Sequence, residues 1–552
     1  MKKQALRFIS VLLLFAGVST MVSFDSPSER FFDIAKNMEV LSSVYAEVNR
    51  YYVDEVDPNK MMKTGIDAML ESLDPYTNFI PEDDIEDFRF ISTGQYGGIG
   101  SMIGNRDDKI LILMPYKGFP AYKAGLKIGD EVLAIDGQDV TGKQTNDISK
   151  LLKGQADTKV SLTIRRYGKD EPLNIDLVRE KITVKSVPYY GMVTDEIGYF
   201  KLNSFTQDAT KDITEALHSL QEQGAKKYIF DLRGNTGGLL REAINISNLF
   251  IEKGKEVVST RGKVAEANKS YYAMKNAMLP NAKLVILTNG RSASASEIVS
   301  GVMQDYDRGV LIGSQTFGKG LVQNTKPVAY NSQVKITTAK YYVPSGRCIQ
   351  AIDYSNKDDD GSARKIPDSL LVAHRTVNSR RLVYDGAGIT PDIEIEKKPM
   401  SDVVRGLLTS NLMFDYVTEY FYSHDSIADA KSFTFSEDDY EAFKTWLATK
   451  EFSFDIQIEA SLDKFIKEVG KQDEVVVDDA IATIRAKIEK AKKSDLEMHK
   501  AEVIEALEEE IVSRYYYQAG IIESSFDDDL DMIEAVKVLS DEDRYNKILA
   551  AQ

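Results

Sequence analysis

Between residues 189 and 390, short apolar runs alternate with amphipathic helical segments, and this alternation restricts the chain more than any other feature. Runs at 197–202, 228–231, 284–287, 310–312 and 334–342 read as strands. Between the first two, Ile213, Ala216, Leu217 and Leu220 fall on one face of a helix, and Gly224 stops it. Strands that alternate with helices must bury their apolar faces against one another, so this stretch predicts a layered α/β core.

Three motifs sit at joints of that core. Asp231-Leu-Arg-Gly-Asn-Thr-Gly-Gly238 follows a strand and precedes a helix expected over 239–250. Glycines at such a turn leave backbone N–H groups open to an anion, whether phosphate or oxyanion. Ser292-Ala-Ser-Ala-Ser-Glu297 lies ahead of a helix expected over 296–306. Its small side chains let a substrate backbone approach, and the helix N-terminus supplies positive potential. Phe317-Gly-Lys-Gly320 is the third.

A serine hydroxyl needs a base to attack at neutral pH. Histidine is the usual one, yet the four histidines, His218, His374, His424 and His499, adjoin none of these motifs. A lysine serves instead when an apolar setting disfavours its ammonium form. Lys319 fits that role, between Gly318 and Gly320 and beside Phe317, Leu321 and Val322. The block Gly313-Ser-Gln-Thr-Phe-Gly-Lys319 nearly matches a phosphate-binding loop, but Gly320 replaces the Mg²⁺-ligating Ser or Thr and a strand follows. Nucleotide binding is therefore set aside. The residues alone leave open which of Ser292, Ser294 and Ser296 is the nucleophile.

Residues 95–180 change character. Glycines 94, 97, 98, 100 and 104 precede a strand expected over 109–114. A dinucleotide fingerprint needs a strand before and a helix after, and its third glycine one residue earlier than Gly104, so that reading fails. A glycine loop can instead hold a chain-terminal carboxylate while the peptide adds as a strand. The order of elements and the run Gly129-Asp-Glu-Val-Leu-Ala-Ile-Asp-Gly137 resemble a PDZ domain. That resemblance implies Tyr96, Gly97, Gly98 and Ile99 as the carboxylate-binding loop.

The chain ends read differently. Lys2, Lys3 and Arg7 precede an uncharged run over 8–24, the pattern of a signal peptide or an uncleaved membrane anchor. Either places the protein outside the cytoplasm, in the periplasm or cell envelope. Residues 26–90 read as a helical cap, with Phe31, Ile34, Met38, Leu41 and Tyr45 on one face, and self-association is a second use of that face. Residues 401–552 read as a charged helical appendage with solvated faces and no catalytic signal. The net charge of −17 argues against nucleic acid, and one cysteine with scattered histidines argues against a metal centre.

In combination, the motifs resemble the C-terminal processing peptidases, also called tail-specific proteases. The likeness runs over 31–392 and includes Leu73-Asp-Pro75, the PDZ block, the 231–238 turn, the serine block, Thr316-Phe-Gly-Lys-Gly-Leu-Val-Gln323 and Gly386-Ala-Gly-Ile-Thr-Pro-Asp392. It implies a multidomain α/β protein. Residues 1–25 form the signal or anchor and 26–90 the helical N-terminal region. A PDZ domain occupies 91–182, a crotonase/ClpP-like layered protease core 183–400, and a helical C-terminal extension 401–552. It implies Ser294 as nucleophile, Lys319 as general base and Gln323 as the group orienting Lys319. The amides of Ala295 and of one glycine in the 231–238 turn, Gly237 by preference, form the oxyanion hole. Asp305 matches a residue linked to activity in some members. Eleven helical residues span about 16 Å, so Asp305 is read as structural support. No cofactor is implied. Expected partners are protein or peptide substrates with apolar C-termini, with a homodimer or an adaptor protein beside them. The competing readings are a non-catalytic PDZ scaffold and a crotonase-like acyl-CoA enzyme.

Overall fold

A computed structural model describes residues 27–357, 363–454, 457–469 and 478–550. The leader or anchor expected over 1–25 lies outside the described residues. Among those described, no helix is long and apolar enough to cross a membrane.

The chain divides into two units, residues 1–79 and 80–552. The first holds helices Pro27–Tyr51 and Pro58–Glu71. Asp57 caps the second, accepting from the amides of Asn59 and Lys60, with Pro58 preset for the first turn. The Leu73-Asp-Pro75 turn is closed by the buried Asp74 carboxylate, which accepts from the Tyr76 and Thr77 amides, both at 2.9 Å. Phe31, Ile34, Met38 and Leu41 share a helical face as expected and are exposed along it.

In the second unit a six-stranded sheet carries the core. Its order is Tyr189–Met192, Ile197–Lys201, Lys227–Asp231, Lys283–Thr288, Val310–Gly313 and Ile393–Glu394. The first pair is antiparallel and the rest are parallel. Phe200, Phe230, Leu284, Ile286 and Leu311 point to one face, which is covered by helices Ala209–Glu222, Leu240–Ser247 and Ala295–Asp305. Tyr199, Ile229, Val285, Leu287 and Ile312 point to the other. That second face is covered by the end of the chain, through Phe526 and helices Leu530–Ser540 and Glu542–Leu549. This corrects the reading of 401–552 as a solvated appendage. Its last part is the third layer of the core, a tertiary pairing that its charged composition disguised. A smaller sheet joins strands Leu321–Pro327, Gln333–Tyr342, Glu256–Arg261 and Lys269–Tyr272.

Residues 95–183 form a separate β-domain around Ile112, Val132, Leu162 and Ile164. Strand Ser101–Arg106 lies at the edge of its main sheet, near helix Thr145–Leu152. Arg179 donates to the carbonyls of Leu151 and Leu152 and so pins that helix end. Helix Leu412–Ser423 packs on the domain, with the Phe414 ring between the guanidinium groups of Arg106 and Arg514.

The third layer sets a stability test. Leu539 is fully buried against the sheet. Leu539→Ala is expected to destabilise the protein by about 2–5 kcal/mol in urea unfolding. A loss below about 0.5 kcal/mol, typical of a surface site, would contradict an integral C-terminal layer.

Candidate active site

Strand Lys283–Thr288 ends beneath the serine block, and each serine there has a distinct environment. Ser292 Oγ donates to Leu232 O at 2.9 Å and accepts from the Asn289 amide. Ser296 Oγ donates to Asn235 O at 2.8 Å, and Ser300 Oγ to Ser296 O. All three are buried. Ser294 is half-buried, and its backbone takes φ 56° and ψ −110°, a region costly for a residue with a side chain. It immediately precedes helix Ala295–Asp305. The Ala295 amide is the first of that helix, where no earlier turn supplies an acceptor.

Glu297 joins this block to the lysine loop. Its carboxylate is fully buried and accepts four hydrogen bonds. Oε1 accepts from Thr316 Oγ1 at 2.6 Å and the Gly318 amide at 2.7 Å. Oε2 accepts from the Ser294 amide at 2.8 Å and the Lys319 amide at 2.9 Å. One oxygen atom therefore sets the backbones of residues 294 and 319 side by side. The buried Tyr341 hydroxyl makes a second bridge, within hydrogen-bond distance of the carbonyls of Ser294 and Lys319. Burial pushes the Glu297 carboxyl up to about 6, against the pull of its four donors.

The glycines beside Lys319 are required by close packing. Gly318 has φ +86°, and a Cβ there would lie 2.3 Å from Ala351 Cβ. A Cβ on Gly320 would lie 2.8 Å from the Gln350 amide nitrogen. Leu321 is buried, whereas Phe317 is exposed, so it does not form the apolar setting expected of it.

The 231–238 turn meets Ser294 directly. Asn235 is buried and accepts at its backbone oxygen from the Ala293 amide and Ser296 Oγ. A Cβ on Gly237 would lie 2.9 Å from Ser294 Cβ and 3.0 Å from the Ala295 nitrogen, and Gly237 has φ +105°. The Gly237 amide donates to Asn235 Oδ1 at 2.9 Å. This corrects its assignment as an oxyanion donor: in this conformation the amide is satisfied inside the turn. What Gly237 provides is the absence of a side chain at the closest approach.

Other expected residues fall as follows. Gln323 Nε2 donates to Thr337 Oγ1 on the paired strand at 3.2 Å. Asp305 accepts from Arg347 and from the Ser345 amide at the far end of its helix, so it braces the fold as expected. Tyr96, Gly97 and Gly98 do not form an open loop, because they pair with residues 180–182 as a strand. Gly97 O also accepts from the Gly154 amide. The chain leaves this ladder at Ile99, which is buried. Among the described residues, no His, Cys, Asp and Glu group is arranged to hold a metal.

Sequence reasoning assigned no role to Glu297, although Ser294-Ala-Ser-Glu297 is the Ser-x-x-Glu capping pattern. It also missed Tyr341, for which no local signal exists.

Three known family models match successive parts of the chain. The model of peptidase family S41 matches residues 196–356, and a PDZ domain model matches 112–166. A model described as the C-terminal helical domain of a probable PDZ-protease matches 403–539. The "Carboxy-terminal-processing protease" of Bartonella bacilliformis is 36% identical, over 64% of this chain and 81% of its own length. The "Probable CtpA-like serine protease" of Staphylococcus aureus is 35% identical over 62% of this chain and 70% of its own. The chain belongs to peptidase family S41 and is a serine-type peptidase. Within that family it is a C-terminal processing peptidase with a PDZ domain and a C-terminal helical domain.

Two outcomes follow from the site geometry. Gly237→Ala places a methyl group against Ser294 and the Ala295 amide. Peptidase activity should fall by at least about tenfold while the protein remains folded by circular dichroism, and unchanged kcat/KM would show that the space beside Ser294 is not used in catalysis.

Glu297 links pH to stability. Its folded value near 6 lies above the ordinary carboxyl value of 4.5, so the folded protein holds this proton more tightly than the unfolded chain. The group favours folding most below pH 4.5, and that contribution is lost as pH rises through about 6. In urea unfolding, the stability of wild type relative to Glu297→Gln should therefore decrease by about 2 kcal/mol across that window. An increase over the same window would reverse the sign and refute the assignment.

Proposed function

We propose that this chain is an exported serine endopeptidase that works through a Ser294–Lys319 dyad and takes substrates by their C-terminal tails. The observation that carries the reading is the single Glu297 oxygen accepting from the amides of both Ser294 and Lys319. Residues 25 apart in the chain are held together at the one serine of the block that is not fully buried.

In this reading the unprotonated Lys319 amine removes the Ser294 hydroxyl proton as Oγ attacks the scissile carbonyl. Lys319 then gives that proton to the leaving amine, and water repeats the sequence on the acyl-enzyme. Gln323 orients the lysine. The oxyanion is held by the Ala295 amide, with the positive end of helix Ala295–Asp305 behind it, and by an amide of the 231–238 turn. The core is read as the crotonase/ClpP-like layered type.

The PDZ domain takes the apolar tail of the substrate. Edge strand Ser101–Arg106, beside helix Thr145–Leu152, offers a place for the tail to add as a strand. Its terminal carboxylate would meet the backbone at Ile99, beyond the ladder that occupies Tyr96, Gly97 and Gly98. The basic and apolar residues over 1–24 support export to the periplasm or cell envelope, with the leader either cleaved or kept as an anchor.

An unfolded protein with an apolar tail tests the mechanism. Wild type should cleave it, and Ser294→Ala and Lys319→Ala should each lower kcat by at least about a thousandfold. Activity of Lys319→Ala close to wild type at neutral pH would rule out the dyad. Cleavage that is indifferent to replacing the tail with a charged one would rule out tail selection.

A further inference from the structure

The 231–238 turn is anchored from below by charge. Asp231 ends its strand fully buried. Its Oδ1 accepts from the Arg233 amide and Nε, and its Oδ2 from Tyr199 OH at 2.7 Å and the remaining Arg233 terminal nitrogen at 2.8 Å. Lys201 Nζ lies 3.3 Å from the same oxygen. Burial alone would raise this carboxyl, but the charges of Arg233 and Lys201 hold it well below the usual range. The other arm of Arg233 points away from the turn. Its Nη1 donates to Asp529 Oδ2 at 2.5 Å and Asp531 Oδ2 at 2.8 Å, two carboxylates of the C-terminal layer. Asp531 is fully buried and also pairs with Lys397 at 2.7 Å. Asp529 additionally caps helix Leu530–Ser540, accepting from the Asp531 amide.

We propose that Asp529 and Asp531 are positioning residues for peptide hydrolysis, acting through Arg233 to hold the 231–238 turn against Ser294. The proposal rests on the Ser294–Lys319 reading, which makes the turn part of the oxyanion site.

The physical case has three parts. The turn contains five residues between Arg233 and Leu239, and three are glycines, so it has little intrinsic rigidity. Gly237 lies so close to Ser294 and the Ala295 amide that a small displacement alters the space an oxyanion would fill. Arg233 lies within the turn, and its planar guanidinium is gripped on both sides. A guanidinium held by Asp231 alone keeps one arm unopposed in a nearly dry site, where an unmatched charge is costly. The two aspartates remove that freedom. The C-terminal layer would thus complete the active site from the opposite face of the sheet, without touching substrate.

The test uses the full-length protein, a tailed peptide substrate and a peptide boronate, whose tetrahedral adduct carries an oxygen in the oxyanion position. Asp531→Asn keeps the shape and removes the charge. Asp529→Asn does the same and preserves the helix cap, since Asn caps as well as Asp. Each variant should lower kcat by about tenfold, with KM within about twofold and boronate inhibition weakened in proportion to kcat. Amide hydrogen exchange over 232–238 should quicken while exchange elsewhere stays unchanged. Wild-type kcat per folded molecule in both variants would overturn the proposal. So would a loss that appears in KM alone, or one that matches the fraction unfolded. Ser294→Ala in the same assay separates the two levels: if it retains activity the dyad itself is wrong, whereas an inactive Ser294→Ala beside fully active aspartate variants refutes only the positioning role.

Discussion

A buried carboxylate is costly unless donors surround it, and the active site is built around one that is fully supplied. Glu297 receives two donors from the lysine loop on one oxygen and one donor from each loop on the other. Neither loop can keep its conformation without the other, because withdrawing either leaves the carboxylate short of partners in a dry interior. The strained backbone of Ser294 is held by the same bonds. The relative placement of the Ser294 and Lys319 backbones is thus a property of one ionised group.

The layers of the fold deliver that group. Parallel strands end at one edge of the sheet, and the turns that leave them carry the 231–238 segment, the serine block and the lysine loop to the same edge. The helices on one face position Ser294 and Glu297. The opposite face is closed by residues 526–549, and the Arg233 cluster passes from that layer into the turn beside Ser294. The PDZ domain is held by the same C-terminal region through Phe414, so one segment touches both the peptide-binding domain and the catalytic core.

The strands of the core were legible because short apolar runs bounded by glycine have few alternatives. Helix boundaries agreed within a residue or so for 295–305 and less well for 240–247, where the turn consumed the first residue and the last turn loosened. The glycines were legible as functional but not in role. Gly237 reads as an open amide in sequence and acts as a missing side chain in the structure, because its N–H is taken by Asn235 two residues back. Tyr96, Gly97 and Gly98 read as a loop and form a strand, since their partners lie more than eighty residues away. The C-terminal layer was the largest omission. Acidic residues are frequent in its sequence, and burial of a face such as Met532, Ala535, Val538 and Leu539 is visible only once the sheet it covers is known.

By itself the sequence determined the chemistry available: serine and lysine without a histidine, glycines at strand ends, and a peptide-binding β-domain inserted ahead of them. Those follow from residue type and local spacing, which short stretches encode. The tertiary structure decided which serine is only half-buried and strained, which carboxylate joins the two loops, and that Asp529 and Asp531 reach Arg233 from the far side of the sheet. Apart from the Glu297–Ser294 capping contact, each depends on groups brought together by packing across tens to hundreds of residues, which no local pattern encodes.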